Sequence, residues 1–164
     1  MTNISEIQYE SNGLNSLVHQ VHFFSELLED GYDIRLKVTG RSMSPFLKTG
    51  SFVTLSKIPL SELRIGDIVF CRCNDGSFKL HRLIQRDGDM LITKGDALVS
   101  SDVPFKKTDY KGKVVRIEHQ RSNGVIYRNM NNQSARVVNY IIARYSQLKL
   151  CFICIYVRLK SKPA

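Results

Sequence analysis

The fold of this chain is organised around one stretch of sequence, Gly40-Arg41-Ser42-Met43-Ser44-Pro45. Residues 33–39, which precede it, alternate between polar and apolar side chains, and this alternation predicts a β-strand. Gly40 can bend the chain without strain at Cβ, and Pro45 disfavours helical geometry at Ser44. We therefore expect Ser42 on a tight bend after a strand, where a nucleophilic serine would have an exposed hydroxyl and a free backbone N–H. An ordinary turn could have the same composition.

Away from this bend, short apolar runs separated by turn signals predict strands over residues 51–56, 68–73, 77–86 and 90–93, and a closing hairpin over 111–121 and 125–129. Apolar side chains at helical spacing predict an amphipathic helix over residues 12–30 and a second helix from about residue 132. These patterns indicate a mainly β (α+β) fold. We expect an N-terminal helical extension (1–31), a β-rich core (32–130) and a C-terminal basic amphipathic helix (131–164).

Several motifs follow the Ser42 bend in a fixed order: Arg64-Ile65-Gly66-Asp67-Ile68-Val69, Leu80-His81-Arg82-Leu83, Thr93-Lys94-Gly95-Asp96, and then Asp102. This ordered set resembles the signal peptidase I superfamily, which shares its catalytic core with LexA-like self-cleaving proteins. The resemblance covers residues 34–118 and is closest to the archaeal and endoplasmic-reticulum type. That type places a histidine where most bacterial signal peptidases and LexA-like proteins place a lysine.

The resemblance implies a serine endopeptidase that cleaves signal or leader peptides from precursor proteins. Ser42 would be the nucleophile and His81, which lies 39 residues later, its general base. Asp102 would orient His81 with Asp96 in support, although these two assignments could be exchanged. Lys79 shares a face of the predicted strand with His81, so a Ser42–Lys79 pair is the alternative mechanism.

The sequence departs from the family pattern at three places. Gly50-Ser51 replaces a Gly-Asp turn, and Ala97-Leu98 replaces an Asn-Asn pair after the Lys-Gly-Asp motif. Gly40 stands where many bacterial signal peptidases have a serine hydroxyl that stabilises the oxyanion, so the backbone N–H of Ser42 would be the first oxyanion donor. The Gly-x-Ser-Met form is more similar to the LexA side of the superfamily.

The net charge of the 164-residue chain is +9, which favours an anionic partner. The basic C-terminal helix could lie on an anionic membrane surface or pack against the N-terminal helix. No apolar run is long enough to predict a transmembrane helix, and the polar residues 1–10 do not form a secretory signal. We therefore expect a cytoplasmic or peripherally membrane-associated protein. A single N-terminal helix is too little for a helix-turn-helix module, so no nucleic-acid partner is expected.

The four cysteines occur as Cys71-x-Cys73 and Cys151-x-x-Cys154. Neither pair has the context of a zinc site, so we predict packed thiols, no metal or other cofactor, and a reducing compartment. His119 lies near the end of the closing hairpin, which predicts a solvent-exposed position without a function. Two further functions remain open, namely a LexA-like self-cleaving regulator and a non-catalytic binding module on the same fold.

Overall fold

The computed structural model describes residues 14–73 and 77–160, with side chains described within residues 22–149. Its elements in chain order are α1 (Leu14–Glu29), β1 (Ile34–Lys37), β2 (Phe52–Ser56), β3 (Ile68–Arg72), β4 (Phe78–Asp87), β5 (Met90–Lys94), β6 (Phe105–Lys106), a 3₁₀ turn (Lys107–Asp109), β7 (Tyr110–Arg121), β8 (Gly124–Asn129) and α2 (Gln133–Lys160). This order confirms the predicted mainly β fold with two helices. The predicted turn at residues 74–76 lies outside the described residues.

Within the described ranges, the strands form one antiparallel sheet in the order β1-β2-β7-β3-β4-β5-β6, with β8 paired to β7. Every strand predicted from the sequence is present. The two-residue strand β6 was not predicted, because so short a run carries no periodic pattern. The long strand β7 pairs with β2, β3 and β8, so it ties the first half of the chain to the second.

The core lies on both faces of β3, which explains why that strand is apolar without alternation. Ile68 and Phe70 join a cluster that includes Phe24 and Leu28 of α1. Val69 and Cys71 point to the opposite face and join a second cluster under β5 and β6. The first cluster also contains Met43 and Leu47, which anchor the turn that carries Ser42.

The C-terminal helix α2 begins at an N-cap in which Asn132 Oδ1 accepts a hydrogen bond from the backbone N–H of Ala135 at 2.7 Å. It packs against β4, whereas α1 packs against β1 and β7. Among the described residues, α2 therefore makes its main contacts with the sheet and not with the N-terminal helix, as one of the two alternatives had it. In the described part of the chain, neither helix has a stretch long and apolar enough to cross a membrane.

Candidate active site

Ser42, His81 and Asp102 lie in one hydrogen-bonded row. Ser42 is in the turn after β1, His81 is in β4, and Asp102 is in the loop between β5 and β6. His81 Nε2 is 2.9 Å from Ser42 Oγ, and His81 Nδ1 is 2.6 Å from Asp102 Oδ2. Because an ionised carboxylate can only accept, Nδ1 carries the proton, and in the neutral imidazole Nε2 is left to accept from the Ser42 hydroxyl. His81 thus has the tautomer, with Nε2 unprotonated, that can accept the proton of a serine nucleophile.

Two side chains besides His81 hold the Asp102 carboxylate in place. Thr93 Oγ1 donates to Oδ2 at 2.7 Å, and Lys79 Nζ donates to Oδ1 at 3.1 Å. The Asp102 backbone N–H also donates to the Thr93 carbonyl at 2.8 Å. Burial alone would raise the pKa of Asp102, but the hydrogen bonds from His81 and Thr93, with the Lys79 ammonium, outweigh it and lower the pKa to about 2. Asp102 is therefore a carboxylate across the neutral range.

Lys79 is directed at Asp102 and not at Ser42. Burial lowers its pKa, but the hydrogen bond and the negative charge of Asp102 act against burial and the net shift is upward. A lysine base needs the opposite shift, because it must lose its proton near neutral pH. The geometry therefore favours His81 over Lys79 as the group that accepts the Ser42 proton.

The loop that contains the Lys-Gly-Asp motif (Lys94-Gly95-Asp96) supports the backbone of the turn that carries Ser42. The Ser42 carbonyl accepts a hydrogen bond from the backbone N–H of Ala97 at 2.8 Å, so the departure from Asn-Asn leaves this backbone contact intact. A Cβ atom on Gly95 would lie 2.7 Å from the same carbonyl oxygen, which explains why glycine is needed there. Gly40, in contrast, has no positive φ, and no atom of the described residues lies within 4 Å of a Cβ built there, so the structure does not require glycine at position 40.

The backbone N–H of Ser42 is available to a ligand. Among the described residues, no acceptor forms a hydrogen bond with it, although the N–H groups of Ser44 and Leu47 in the same turn are bonded to the carbonyls of Arg41 and Met43. An unpaired N–H beside a nucleophile is the type of donor that stabilises an oxyanion.

Asp96 does not contact His81. It accepts two hydrogen bonds from the fully buried Arg82, at 2.8 Å from Nε to Oδ1 and 2.7 Å from Nη2 to Oδ2. His81 and Arg82 are successive residues of β4, so their side chains point to opposite faces of the strand. The structure thus places Asp102 beside His81 and Asp96 on the other face, and the two carboxylates are not interchangeable.

Arg82 was not singled out in the sequence, yet it joins four parts of the chain. Besides Asp96, its Nη1 donates to the Gly66 carbonyl at 2.8 Å and to Asn139 Oδ1 of α2 at 3.1 Å. Its guanidinium also lies over the Phe46 ring, with 4.6 Å from Cζ to the ring centroid. A signal was present, because a charged residue in a strand of buried side chains requires a partner. The contact of Thr93 with Asp102 was missed as well, although Thr93 directly precedes the Lys-Gly-Asp motif.

Two further predictions concern His119 and the thiols. His119 is half-buried, with Nδ1 2.9 Å from Ser51 Oγ, so its predicted solvent-exposed position was wrong. Cys71 is buried and Cys73 half-buried, both as free thiols. Across the two described ranges, no group of three or more His, Cys, Asp or Glu side chains is arranged to hold a metal ion.

The mainly β core, together with the family match that follows, supports a serine peptidase or a LexA-like fold. The chain belongs to the Peptidase S24-like family, whose model matches residues 6–115. This match contains Ser42, His81 and Asp102. No match was found among the curated proteins.

Proposed function

We propose that this protein is a serine endopeptidase of the signal peptidase I-like type, which cleaves signal or leader peptides from precursor proteins. The observation that carries the proposal is the row of two short hydrogen bonds, 2.9 Å from Ser42 Oγ to His81 Nε2 and 2.6 Å from His81 Nδ1 to Asp102 Oδ2. A row of this kind provides a nucleophile, a base and an orienting carboxylate in the order that acyl transfer requires.

In the proposed mechanism, Ser42 Oγ attacks the carbonyl carbon of the scissile bond while its proton passes to His81 Nε2. Asp102 stabilises the resulting imidazolium through Nδ1. The developing oxyanion accepts a hydrogen bond from the Ser42 backbone N–H. His81 then returns the proton to the leaving amine, and an acyl group remains on Ser42. His81 next takes a proton from water, the hydroxide attacks the ester, and the peptide acid leaves as Ser42 regains its proton.

Apolar side chains around the loop that carries Asp102 support a signal-like substrate. Leu98, Val99 and Val103 are exposed, and Val99 and Val103 have more than half of their surface free. Signal peptides contain an apolar segment of 7–15 residues, which would gain by covering such side chains. The resemblance to signal peptidases further implies small residues before the scissile bond.

We also propose that α2 lies on an anionic membrane surface. Val137, Ile141, Tyr145 and Leu148, here called the apolar stripe, are spaced by three or four residues and are all exposed. The opposite side of α2, with Asn139, Ala143 and Ser146, is buried against the core. Arg144 and Lys149 are exposed and flank the stripe. An apolar stripe between cations on a protein of net charge +9 suits an interface with anionic lipid.

Cleavage of a panel of signal-like and leader-like peptides by the wild type, Ser42→Ala and His81→Ala tests the proposed activity. We expect cleavage by the wild type and a loss of at least about a thousandfold in both variants. Undiminished cleavage in His81→Ala would rule out the mechanism. A chain that cuts itself through Ser42 and leaves every peptide intact would instead be a LexA-like self-cleaving regulator, and a chain that cuts nothing would be a binding module.

Vesicle co-sedimentation tests the proposed membrane surface. We expect the wild type to sediment with anionic vesicles and not with neutral ones, and the Ile141→Gln/Leu148→Gln variant to stay in solution. Val125→Gln/Ile126→Gln is the matched control, because both residues are exposed apolar side chains on β8. Equal binding by both double variants would show that the stripe does not contact lipid.

A further inference from the structure

A large basic cavity is lined by none of the three residues Ser42, His81 and Asp102. It has a volume of about 750 Å³ and opens between the turn that follows Ser42, the β7–β8 hairpin and α2. Its walls carry four side chains that are cationic or can become so, Lys48, His119, Arg121 and Arg128. We refer to it as the basic cavity.

The charges of the basic cavity are not balanced by the protein. Within the part of the chain that the structure describes, Lys48, Arg121 and Arg128 form no ion pair. Asp96 is the acid in the cavity wall, but both of its carboxylate oxygens accept hydrogen bonds from Arg82. A concave surface lined by one sign of charge concentrates the field inside it and attracts the opposite ion.

The cations of the basic cavity, Lys48, Arg121 and Arg128, all act on His119. Burial lowers its pKa, and the charges of Arg128, Lys48 and Arg121 lower it further. Its Nδ1 contacts the buried Ser51 hydroxyl at 2.9 Å. An anion in the cavity would offset the three neighbouring charges and allow His119 to become a fourth cationic donor.

We propose that the basic cavity binds a phosphate group, carried either by inorganic phosphate or by the monoester headgroup of phosphatidic acid. Phosphate matches the site better than a carboxylate does, because it has close to two negative charges and three acceptor oxygens to meet several donors. Arginine suits phosphate in particular, since its planar fork donates two parallel hydrogen bonds. Ile142 of α2 also lines the cavity. Because Ile142 directly follows Ile141 of the apolar stripe, the basic cavity lies next to that stripe.

The binding is measured by NMR on protein labelled at its histidines, with the His119 signal identified from His119→Gln. Inorganic phosphate is titrated at constant ionic strength against chloride. We expect a saturable shift of the His119 signal and a higher His119 pKa in the bound state. Absence of a saturable shift would overturn the proposal. A parallel titration with soluble dihexanoyl phosphatidic acid separates the sources: affinity at least tenfold higher than for phosphate identifies a lipid headgroup, and equal affinity identifies free phosphate.

Two double variants that each remove two positive charges distinguish a specific phosphate site from a general effect of net charge. Lys48→Gln/Arg121→Gln removes two exposed cations from the cavity and leaves Arg128 over the Phe46 ring, 5.0 Å from Cζ to the centroid. Lys37→Gln/Lys106→Gln removes two exposed cations elsewhere. We expect phosphate to bind at least tenfold more weakly to the first variant and within twofold of the wild type to the second. Equal weakening in both variants would show that only the net charge matters.

Discussion

Arg82 and Asp96 form a buried two-bond ion pair on the face of β4 opposite His81. The bonds measure 2.8 Å and 2.7 Å, and the guanidinium is fully buried. Because Arg82 is also bonded to Gly66 and Asn139, one side chain holds the Lys-Gly-Asp loop, the turn before β3 and the helix α2 in register. These contacts fix β4, the strand that carries His81, from the face opposite to His81.

Arg82→Met is expected to lower the free energy of unfolding by about 3–5 kcal/mol, because it leaves the Asp96 charge buried without a partner. Urea unfolding followed by circular dichroism measures the loss. Arg82→Met/Asp96→Leu should be more stable than Arg82→Met alone, since it removes the unpaired charge. Arg86→Met is the control, because Arg86 donates to the Leu63 and Leu60 carbonyls and not to an acid. Equal losses in the two single variants would contradict this account.

The sequence predicted the strands and the two helices because alternation and helical spacing are local signals. The order of the motifs pointed to Ser42, His81 and Asp102, and the structure brings these three together. The contacts of Arg82 and Thr93 and the half-buried position of His119 were not predicted, because a polar residue in a strand does not indicate in its sequence which distant group it meets. The packing of α2 depends on Gly66 and Arg82, both more than 50 residues away in sequence.

Lys79→Ala is expected to keep peptidase activity within about tenfold of the wild type, because Asp102 retains its bonds from His81 and Thr93. Rates of peptide cleavage at saturating substrate measure the effect. His81→Ala provides the comparison, with a loss of about a thousandfold or more. If Lys79→Ala were as inactive as His81→Ala, the lysine would have to be the base.

Gly95→Ala is expected to reduce peptide cleavage by about 10- to 100-fold, because the new Cβ would displace the Ser42 carbonyl that lies 2.7 Å away. Gly40→Ala is the matched control. Its Cβ would meet no atom of the described residues within 4 Å, and position 40 has no positive φ, so cleavage should stay within about twofold of the wild type. A larger loss in Gly40→Ala than in Gly95→Ala would contradict the inferred support of Ser42 by the Lys-Gly-Asp loop.

The low pKa of Asp102 predicts a specific loss of stability in acid. Its folded pKa of about 2 lies below its ordinary value of 3.8, so Asp102 stabilises the fold above pH 4 and this contribution is lost as the pH falls toward 2. The contribution is on the order of 2 kcal/mol, since one pKa unit corresponds to about 1.4 kcal/mol. Urea unfolding at pH 5 and pH 2 should therefore show a smaller change in unfolding free energy for Asp102→Asn than for the wild type. Equal changes would show that the carboxylate is not stabilised in the folded state.

Gly66→Ala is expected to loosen α2, because a Cβ at this position would lie 2.6 Å from the Asn139 backbone carbon and Gly66 has a φ of 100°. Gly124→Ala separates the two causes, since Gly124 also has a positive φ, 125°, but a Cβ there would meet no atom within 4 Å in the part of the chain that the structure describes. Both variants should be destabilised by the strain of a left-handed residue, about 1–2 kcal/mol, and Gly66→Ala by about 1–3 kcal/mol more. Amide hydrogen exchange in α2 is the decisive measurement. It should become faster in Gly66→Ala and stay unchanged in Gly124→Ala, whereas equal rates in the two variants would mean that the contact with Gly66 does not hold the helix on the sheet.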